Sequence, residues 1–263
     1  MHRFFLPIDS FLDGFVKFPP AVSHQLSQVL RMQEGDKVLA LDNSGWEFEV
    51  VLTKVDPKGT EGTVQRKSLT NVEPRTKITI YQAVLKGDRF DYVLQKGTEI
   101  GVVGFVPMLC DRCIIASLGD VSEGKLERWN RIVREAAEQA GRGKLPALHS
   151  PVLFDQACAM ATGVSFMPWE EEKTAGLRVA LSRWDLDIRI PAAKGGQKPP
   201  RPQRPFSVNI FIGPEGGFSP PEVKAARSHG IRTVSLGPRI LRAETAGLVT
   251  AAAILYEWGD LGG

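Results

Sequence analysis

The residues best suited to chemistry lie in "NIFIGPEGGFSPPEV" (209–223), an apolar run that opens into three glycines around a glutamate and then into a helix start. A strand feeding a glycine-rich loop is the plan of a phosphate cradle, in which backbone groups approach the ligand closely. Here the lysine and serine or threonine of that plan are missing, and so is the spaced-glycine dinucleotide pattern. Glu215 would also repel a phosphate in a partly desolvated loop. The loop suits a neutral nucleoside or a cationic group better. On spacing alone, a tight crossover that binds nothing fits as well.

A second stretch, "TVSLGPRILRAETAGLVTAAAIL" (233–255), repeats the plan of strand, Gly-Pro, short loop and helix. Two such loops after two apolar strands point to one shared purpose. Arg239 and Arg242 bring positive charge to the second. A guanidinium presents its donors in a planar fork and stays protonated at any working pH, so Arg242 is expected to bind or stabilise an anion and not to abstract a proton. The following helix is rich in Ala and Gly (Ala246, Gly247, Ala251, Ala252, Ala253), which lets another backbone or a second subunit pack close.

These loops need a scaffold. From residue 78 the pattern alternates strand and helix: strands at 78–85, 104–109, 163–167, 207–212 and 233–236, helices at 89–100, 123–140, 220–229 and about 245–258. That rhythm predicts an α/β domain with a mostly parallel sheet covered on both faces, and in such sheets loops at the carboxyl ends of strands bind ligands. Ser219, Pro220 and Glu222 form a capping box with proline at the first helical position. The first seventy residues read instead as short strands (37–41, 46–55, 62–66) separated by turns, with a brief helix at 24–31. They predict a small β-barrel or curled sheet built mostly of antiparallel pairs, joined through a polar linker at 71–77. The stretch 191–205, "PAAKGGQKPPRPQRP", cannot form a core element and reads as a solvated basic loop or a finger for an acidic partner.

Composition narrows the class. A formal charge of +3 permits a polyanionic partner without requiring one. No run approaches the roughly 20 apolar residues of a membrane span, and residues 1–7 lack the apolar core of a secretion signal. Three cysteines, with Cys110 and Cys113 as a lone C-x-x-C, fall short of the four ligands of a structural zinc site. No metal and no membrane are expected, and a reducing, cytoplasmic home is.

Across nearly the whole chain the sequence resembles the SPOUT class of S-adenosylmethionine-dependent RNA methyltransferases, and more narrowly the family that methylates N3 of a uridine in 16S, small-subunit ribosomal RNA. The resemblance rests on "QKGTEIGVVGFVPMLCDRC" (95–113), "EQAGRGKLP" (138–146), "IGPEGGFSPPEV" (212–223) and "LGPRILRAETA" (236–246). "HQLSQVLRMQEGDKV" (24–38) is similar to that family's PUA-like β-barrel, which helps hold RNA. The basic insert within 177–206 departs from the pattern. The resemblance implies a PUA-like domain over 1–70, a SPOUT-like domain over 78–263 with a trefoil knot, and a homodimer. It also implies an S-adenosylmethionine site formed by Ile212, Gly213, Glu215, Gly216, Gly217, Leu236, Gly237, Ile240, Leu241, Arg242, Thr245 and Ala246.

On that footing Arg242 is expected to stabilise the uracil anion that attacks the methyl donor, and Glu215 or Glu244 is a candidate base or a loop brace. RNA contact is expected from Arg3, His24, Arg31, Lys86, Arg89, Lys96, Arg112, Arg142 and Lys144. Lys125, Arg128, Arg131 and Arg134 read as a solvated helix face. Two alternatives stay open: a noncatalytic RNA-binding protein with a degenerate nucleoside-binding fold, and a ribose 2′-O-methyltransferase of the same class.

Overall fold

Short extended runs punctuated by Gly, Asn and Pro cannot bury much apart, so they must curl round a shared core. In the computed structural model, which describes residues 1–115, 117–182 and 206–262, six strands do so. They are β1 (Arg3–Phe5), β2 (Phe11–Leu12), β3 (Phe15–Lys17), β4 (Lys37–Leu41), β5 (Trp46–Lys54) and β6 (Glu61–Leu69). Their order is β1-β4-β5-β6-β3-β2, a curled sheet left open between its edge strands. All pairs are antiparallel except β1 with β4. At the β4–β5 turn the Asp42 carboxylate accepts the Ser44 amide at 2.9 Å, while Asn43 and Gly45 take positive φ. Register shifts between Glu49 and Val50 and between Leu52 and Lys54 bend the long β5–β6 pair round the core of Phe4, Val16, Leu26, Val38 and Val50.

The brief helix starts earlier than its sequence signal. α1 (Pro20–His24) opens on a proline and runs on into a π-helical turn, Gln25–Val29. Proline suits the first helical position because its missing N–H has no partner there anyway.

The remaining elements are β7 (Lys77–Ala83), α2 (Arg89–Ile100), β8 (Gly104–Leu109), α3 (Glu123–Gln139), β9 (Ala147–Leu148), β10 (Val152–Leu153), α4 (Phe154–Met160), β11 (Val164–Pro168), α5 (Leu177–Ser182), β12 (Ser207–Ile212), α6 (Pro220–Ser228), β13 (Arg232–Val234) and α7 (Ala243–Glu257). The strands form one sheet of order β10-β8-β7-β12-β11-β13, with β9 also on β8, and every pair is parallel. Buried on both faces, its central strands are apolar nearly throughout, as parallel strands must be. α7 lies on β7 and β12 and against α2, and α4 packs with α6. The small residues of α7 serve this packing, since a Cβ on Gly247 would come within 3.2 Å of Ile212.

Two compact units result. One holds residues 1–73 together with 131–145, and the rest of the described chain forms the other. Specific contacts tie 131–145 into the first unit. Phe5 N donates to Glu138 Oε1 at 2.9 Å, Arg134 donates to the Phe5 carbonyl, and Leu145 N donates to Asn43 Oδ1 at 2.6 Å. The basic stretch 191–205 lies outside the described residues. Among those described, no helix is long and apolar enough to cross a membrane.

Candidate active site

The carboxyl ends of β11, β12 and β13 open together, and the loops leaving them enclose a cleft of about 500 Å³. Every residue proposed for the cofactor from sequence lines it except Thr245. Pro168, Trp169, Glu170, Phe218 and Arg89 line it as well.

The first loop, 213–219, is fastened on three sides. Arg112 Nη1 donates to the Gly216 carbonyl at 2.7 Å. Glu215 Oε1 accepts from the Lys86 amide at 3.1 Å and from Arg89 Nη1 at 3.0 Å. At the far end Ser219 caps α6 with Glu222, whose other oxygen accepts the Asp111 amide at 2.9 Å, while Ser219 Oγ donates to Asp111 Oδ2 at 2.6 Å. Of the three loop glycines only Gly217 has positive φ, +69°, and a Cβ there would strike the Glu170 carboxylate. Glu172, just beyond, accepts from Thr174, Ala175 and Thr233, and these hydrogen bonds hold its carboxyl down at about 2.

Cys110 and Cys113 bracket the turn that carries Asp111 and Arg112, and the Cys110 amide donates to Cys113 Sγ at 3.3 Å. The hydrogen bond between the two thiols lowers Cys113 and raises Cys110. The turn thus sits against the first glycine loop, a placement that sequence spacing gave no means of seeing.

The second loop, 235–242, is held chiefly by backbone. Gly237 takes φ +106°, and its amide donates to Ser235 Oγ at 3.2 Å. Arg242 occupies the N-cap of α7, where its carbonyl accepts the Thr245 and Ala246 amides at 2.9 Å each. Its side chain is exposed and meets no carboxylate within ion-pair distance among the described residues. Glu244, two residues on, is different. Its Oε1 lies 3.9 Å from Arg89 Nε, while its Oε2 is buried without a hydrogen-bond partner among the described residues. An unpaired buried carboxylate oxygen on the wall of a cleft calls for a partner, which an ordered water, an ion or a bound ligand can supply.

The basic residues expected to touch RNA separate into groups. Arg89 and Arg112 belong to the cleft and its first loop. Arg142 is only 4% exposed and forms an ion pair with Glu73, whose carboxylate also accepts the Gly143 and Lys144 amides. Arg3 is bound by Glu47 at 3.0 Å, and Lys96 pairs with Glu99. His24, Arg31, Lys86 and Lys144 stand exposed. On α3, Arg128 meets Asp88 and Asp91, and Lys125 lies over the Trp129 ring. The walls that sequence reasoning missed, Pro168 to Glu170, follow a strand end in a parallel sheet, the one signal that would have marked them.

Known proteins share this arrangement. Residues 72–255 match the model of a family described as RNA methyltransferase domain. The chain is 32% identical over 253 residues to the ribosomal RNA small subunit methyltransferase E of Synechocystis sp., covering 96% of this chain and 77% of that protein. It is 31% identical over 236 residues to the protein of the same name from Bacillus subtilis, covering 89% and 87%. Among solved structures, a ribosomal RNA small subunit methyltransferase E from Neisseria gonorrhoeae bound to S-adenosyl methionine superposes with a TM-score of 0.82 at 29% identity over the full length of both chains. A methyltransferase from Legionella pneumophila in complex with the bound cofactor SAM gives 0.80 at 28% identity, covering 97% of each. With the two loops, the parallel sheet and the match over nearly all of its length, the chain belongs to the RNA methyltransferase domain family, among the ribosomal RNA small subunit methyltransferases E.

Proposed function

We infer that this chain is an S-adenosylmethionine-dependent methyltransferase of small-subunit ribosomal RNA, with N3 of a uridine as the acceptor atom. The observation that carries the reading is the cleft itself, in which both glycine loops meet at the carboxyl ends of three parallel strands. Its residues suit a cationic nucleoside: Glu170, Glu215 and Glu244 line it beside exposed loop backbone, and Glu244 Oε2 lacks a partner. When bound, S-adenosylmethionine supplies a methyl group on a positively charged sulfonium.

The chain's own residues then have separable tasks. Uracil N3 must lose its imide proton, and the charge left behind spreads onto O2 and O4. Arg242, always protonated and exposed at the N-cap of α7, meets that charge in a setting where the helix dipole adds to it. Glu244, on the cleft wall, is the candidate acceptor of the N3 proton. Glu215 braces the first loop through Lys86 and Arg89. Among the basic groups proposed for RNA, exposed His24, Arg31, Lys86 and Lys144 are best placed to meet phosphates, whereas Arg3 and Arg142 support structure.

The same reading makes residues 1–70 a PUA-like RNA-holding domain and the parallel sheet a SPOUT-class domain with a trefoil knot. The strand order supports the knot, because β12 enters between β7 and β11 before β13 returns to the far side of β11. Exposed Val249 and Tyr256 on α7 suit a homodimer, and a ribosomal substrate suits a cytoplasmic home. The test is incubation of the protein with labelled S-adenosylmethionine and small ribosomal subunits from a strain lacking it. Label in the RNA is the expected result, and label in no RNA overturns the reading.

A further inference from the structure

Cys110 and Cys113 take no part in the chemistry assigned to the cleft, yet they end a turn that reaches it. β8 stops at Leu109, and the Cys113 amide closes the turn by donating to the Cys110 carbonyl at 3.0 Å. A turn closed from i to i+3 keeps its end Cα atoms within about 7 Å, close to the span that a disulfide bridges. The sulfurs already meet, since the Cys110 amide and thiol both donate to Cys113 Sγ. Among the described residues no three His, Cys, Asp or Glu side chains are grouped to hold a metal ion, so thiol chemistry is what the pair offers. Cys113 is half-buried, and Cys110 lies buried behind it. The hydrogen bond from Cys110 holds the Cys113 thiol down at about 7, which leaves much of it as the nucleophilic thiolate at neutral pH. The third thiol differs: Cys158 is buried on α4, and burial pushes it up to about 12.

Both residues between the cysteines are committed to the first glycine loop and its helix. Arg112 Nη1 donates to the Gly216 carbonyl at 2.7 Å, and a Cβ on Gly216 would sit 3.3 Å from Arg112 Cβ, so the stem of the side chain touches the loop as well. The Asp111 amide donates to Glu222 Oε1 at 2.9 Å, and the Asp111 carboxylate accepts from Ser219 Oγ at 2.6 Å. A disulfide holds its sulfurs about 2.05 Å apart with a dihedral of about 90° in magnitude, closer and stiffer than two hydrogen-bonded thiols. Cys110 is anchored, because it packs in a buried cluster with Met108, Phe154 and Cys158. Contraction must therefore move Cys113, and Arg112 is the residue joined to it.

We propose that Cys110 and Cys113 form a reversible oxidation site, closed into a disulfide by a small disulfide of the glutathione class, and that closure draws Arg112 off Gly216 and weakens S-adenosylmethionine binding. The Cys113 thiolate attacks one sulfur of glutathione disulfide; that S–S bond breaks and the first glutathione leaves as a thiolate. Cys110 then attacks Cys113 Sγ in the mixed disulfide, and its proton passes to the second departing glutathione. Two protein thiols are oxidised, and one disulfide is reduced to two thiols. The proposal rests on the cleft being an S-adenosylmethionine site, so its test reads the loop with and without cofactor. The full-length protein is treated with glutathione disulfide, alkylated and digested with trypsin, which cuts after Arg112, between the two cysteines. Peptides 97–112 and 113–125 separate from the untreated protein and stay joined in the oxidised one. By calorimetry, oxidation lowers S-adenosylmethionine affinity about fivefold, as expected for one charge-assisted hydrogen bond, and dithiothreitol restores it. Cys113→Ser abolishes this response, whereas Cys158→Ala keeps it. In Arg112→Ala the further loss on oxidation is less than about twofold, because the contact is already gone. Hydrogen exchange of the 213–219 amides is faster in the oxidised wild type with no cofactor present. Peptides that separate after oxidation, or joined peptides with unchanged exchange and affinity, overturn the proposal. So does an oxidised Arg112→Ala that loses as much affinity as the wild type. If the reduced protein binds no S-adenosylmethionine but oxidation still joins the peptides and speeds exchange, the oxidation site and its hold on the loop stand and the cofactor reading falls.

Discussion

The two glycine loops of the cleft share a sequence plan and differ in how they are held. The first is tied by side chains from two distant segments: Arg112 to Gly216 and Asp111 to Ser219 from one, and Arg89 to Glu215 from the other. The second is held at its start, where the Ser235 amide and carbonyl pair with Ala175 and Leu177 and the Gly237 amide donates to Ser235 Oγ, and it presents exposed side chains, Ile240 at 88% and Arg242 without an acidic partner among the described residues. A loop whose shape is fixed beforehand suits recognition of a constant ligand. A loop with uncommitted charge suits a reacting group whose charge appears only during the reaction. On the proposed reading, the first loop would shape the cofactor site and the second would present charge to the acceptor.

Substitutions sharpen or break that division. The largest effect is expected from the second loop: Arg242→Ala lowers kcat about a hundredfold, the loss typical of removing one preorganised donor to a developing anion. S-adenosylmethionine affinity changes less than about threefold, which initial rates at saturating RNA together with calorimetry will separate. If affinity falls as far as kcat, Arg242 holds the cofactor and the division fails. Next comes Gly217→Ala, where positive φ and the Glu170 carboxylate both oppose a Cβ. It weakens S-adenosylmethionine binding about tenfold, in line with about 1–2 kcal/mol of backbone strain. Gly237→Ala is the matched control. Its φ is +106° but a Cβ there would meet nothing within 4 Å, so it is the milder change by calorimetry.

Arg112→Ala removes the hydrogen bond to Gly216, and weakens cofactor binding about fivefold, near the net worth of one charge-assisted bond. Unchanged affinity would mean that the first loop keeps its shape unaided. The smallest effect is an acid one. Glu172, with a folded value of about 2 against about 4.3 in an unfolded chain, stabilises the fold fully above the unfolded value. That contribution is lost as pH falls from about 4 toward 2. Thermal unfolding should show wild-type Tm dropping in that window and Glu172→Gln dropping less. Parallel pH profiles for the two would remove Glu172 as the tie beside the cleft.

Much of this architecture was legible in the sequence, for reasons that particular elements show. α2 (Arg89–Ile100), β8 (Gly104–Leu109) and β12 (Ser207–Ile212) carry strong apolar patterns between glycine stops, and their expected and observed bounds coincide. β2, β9 and β10 have two residues each, too few for any period to register. α4 (Phe154–Met160) spans two turns and was passed over for the same reason. The twin loops were visible because each is one contiguous stretch. The third wall, Pro168 to Glu170, was not, because only the strand order brings the end of β11 beside those of β12 and β13. Arg142 shows the limit of counting charge: its partner Glu73 lies 69 positions away, and no local pattern announces the pair. Gly217 and Glu170 make the same point at the cleft, since the contact that opposes a side chain there joins two separate loops.

The central claim is that the two loops together direct a methyl group to uracil N3. The most direct test digests ribosomal RNA from small subunits treated with the wild-type protein and with Arg242→Ala, and identifies the methylated nucleoside by mass spectrometry. The account predicts 3-methyluridine with the wild type and a trace of it with Arg242→Ala. A methyl group on a ribose 2′-oxygen, or equal 3-methyluridine from both proteins, would contradict it.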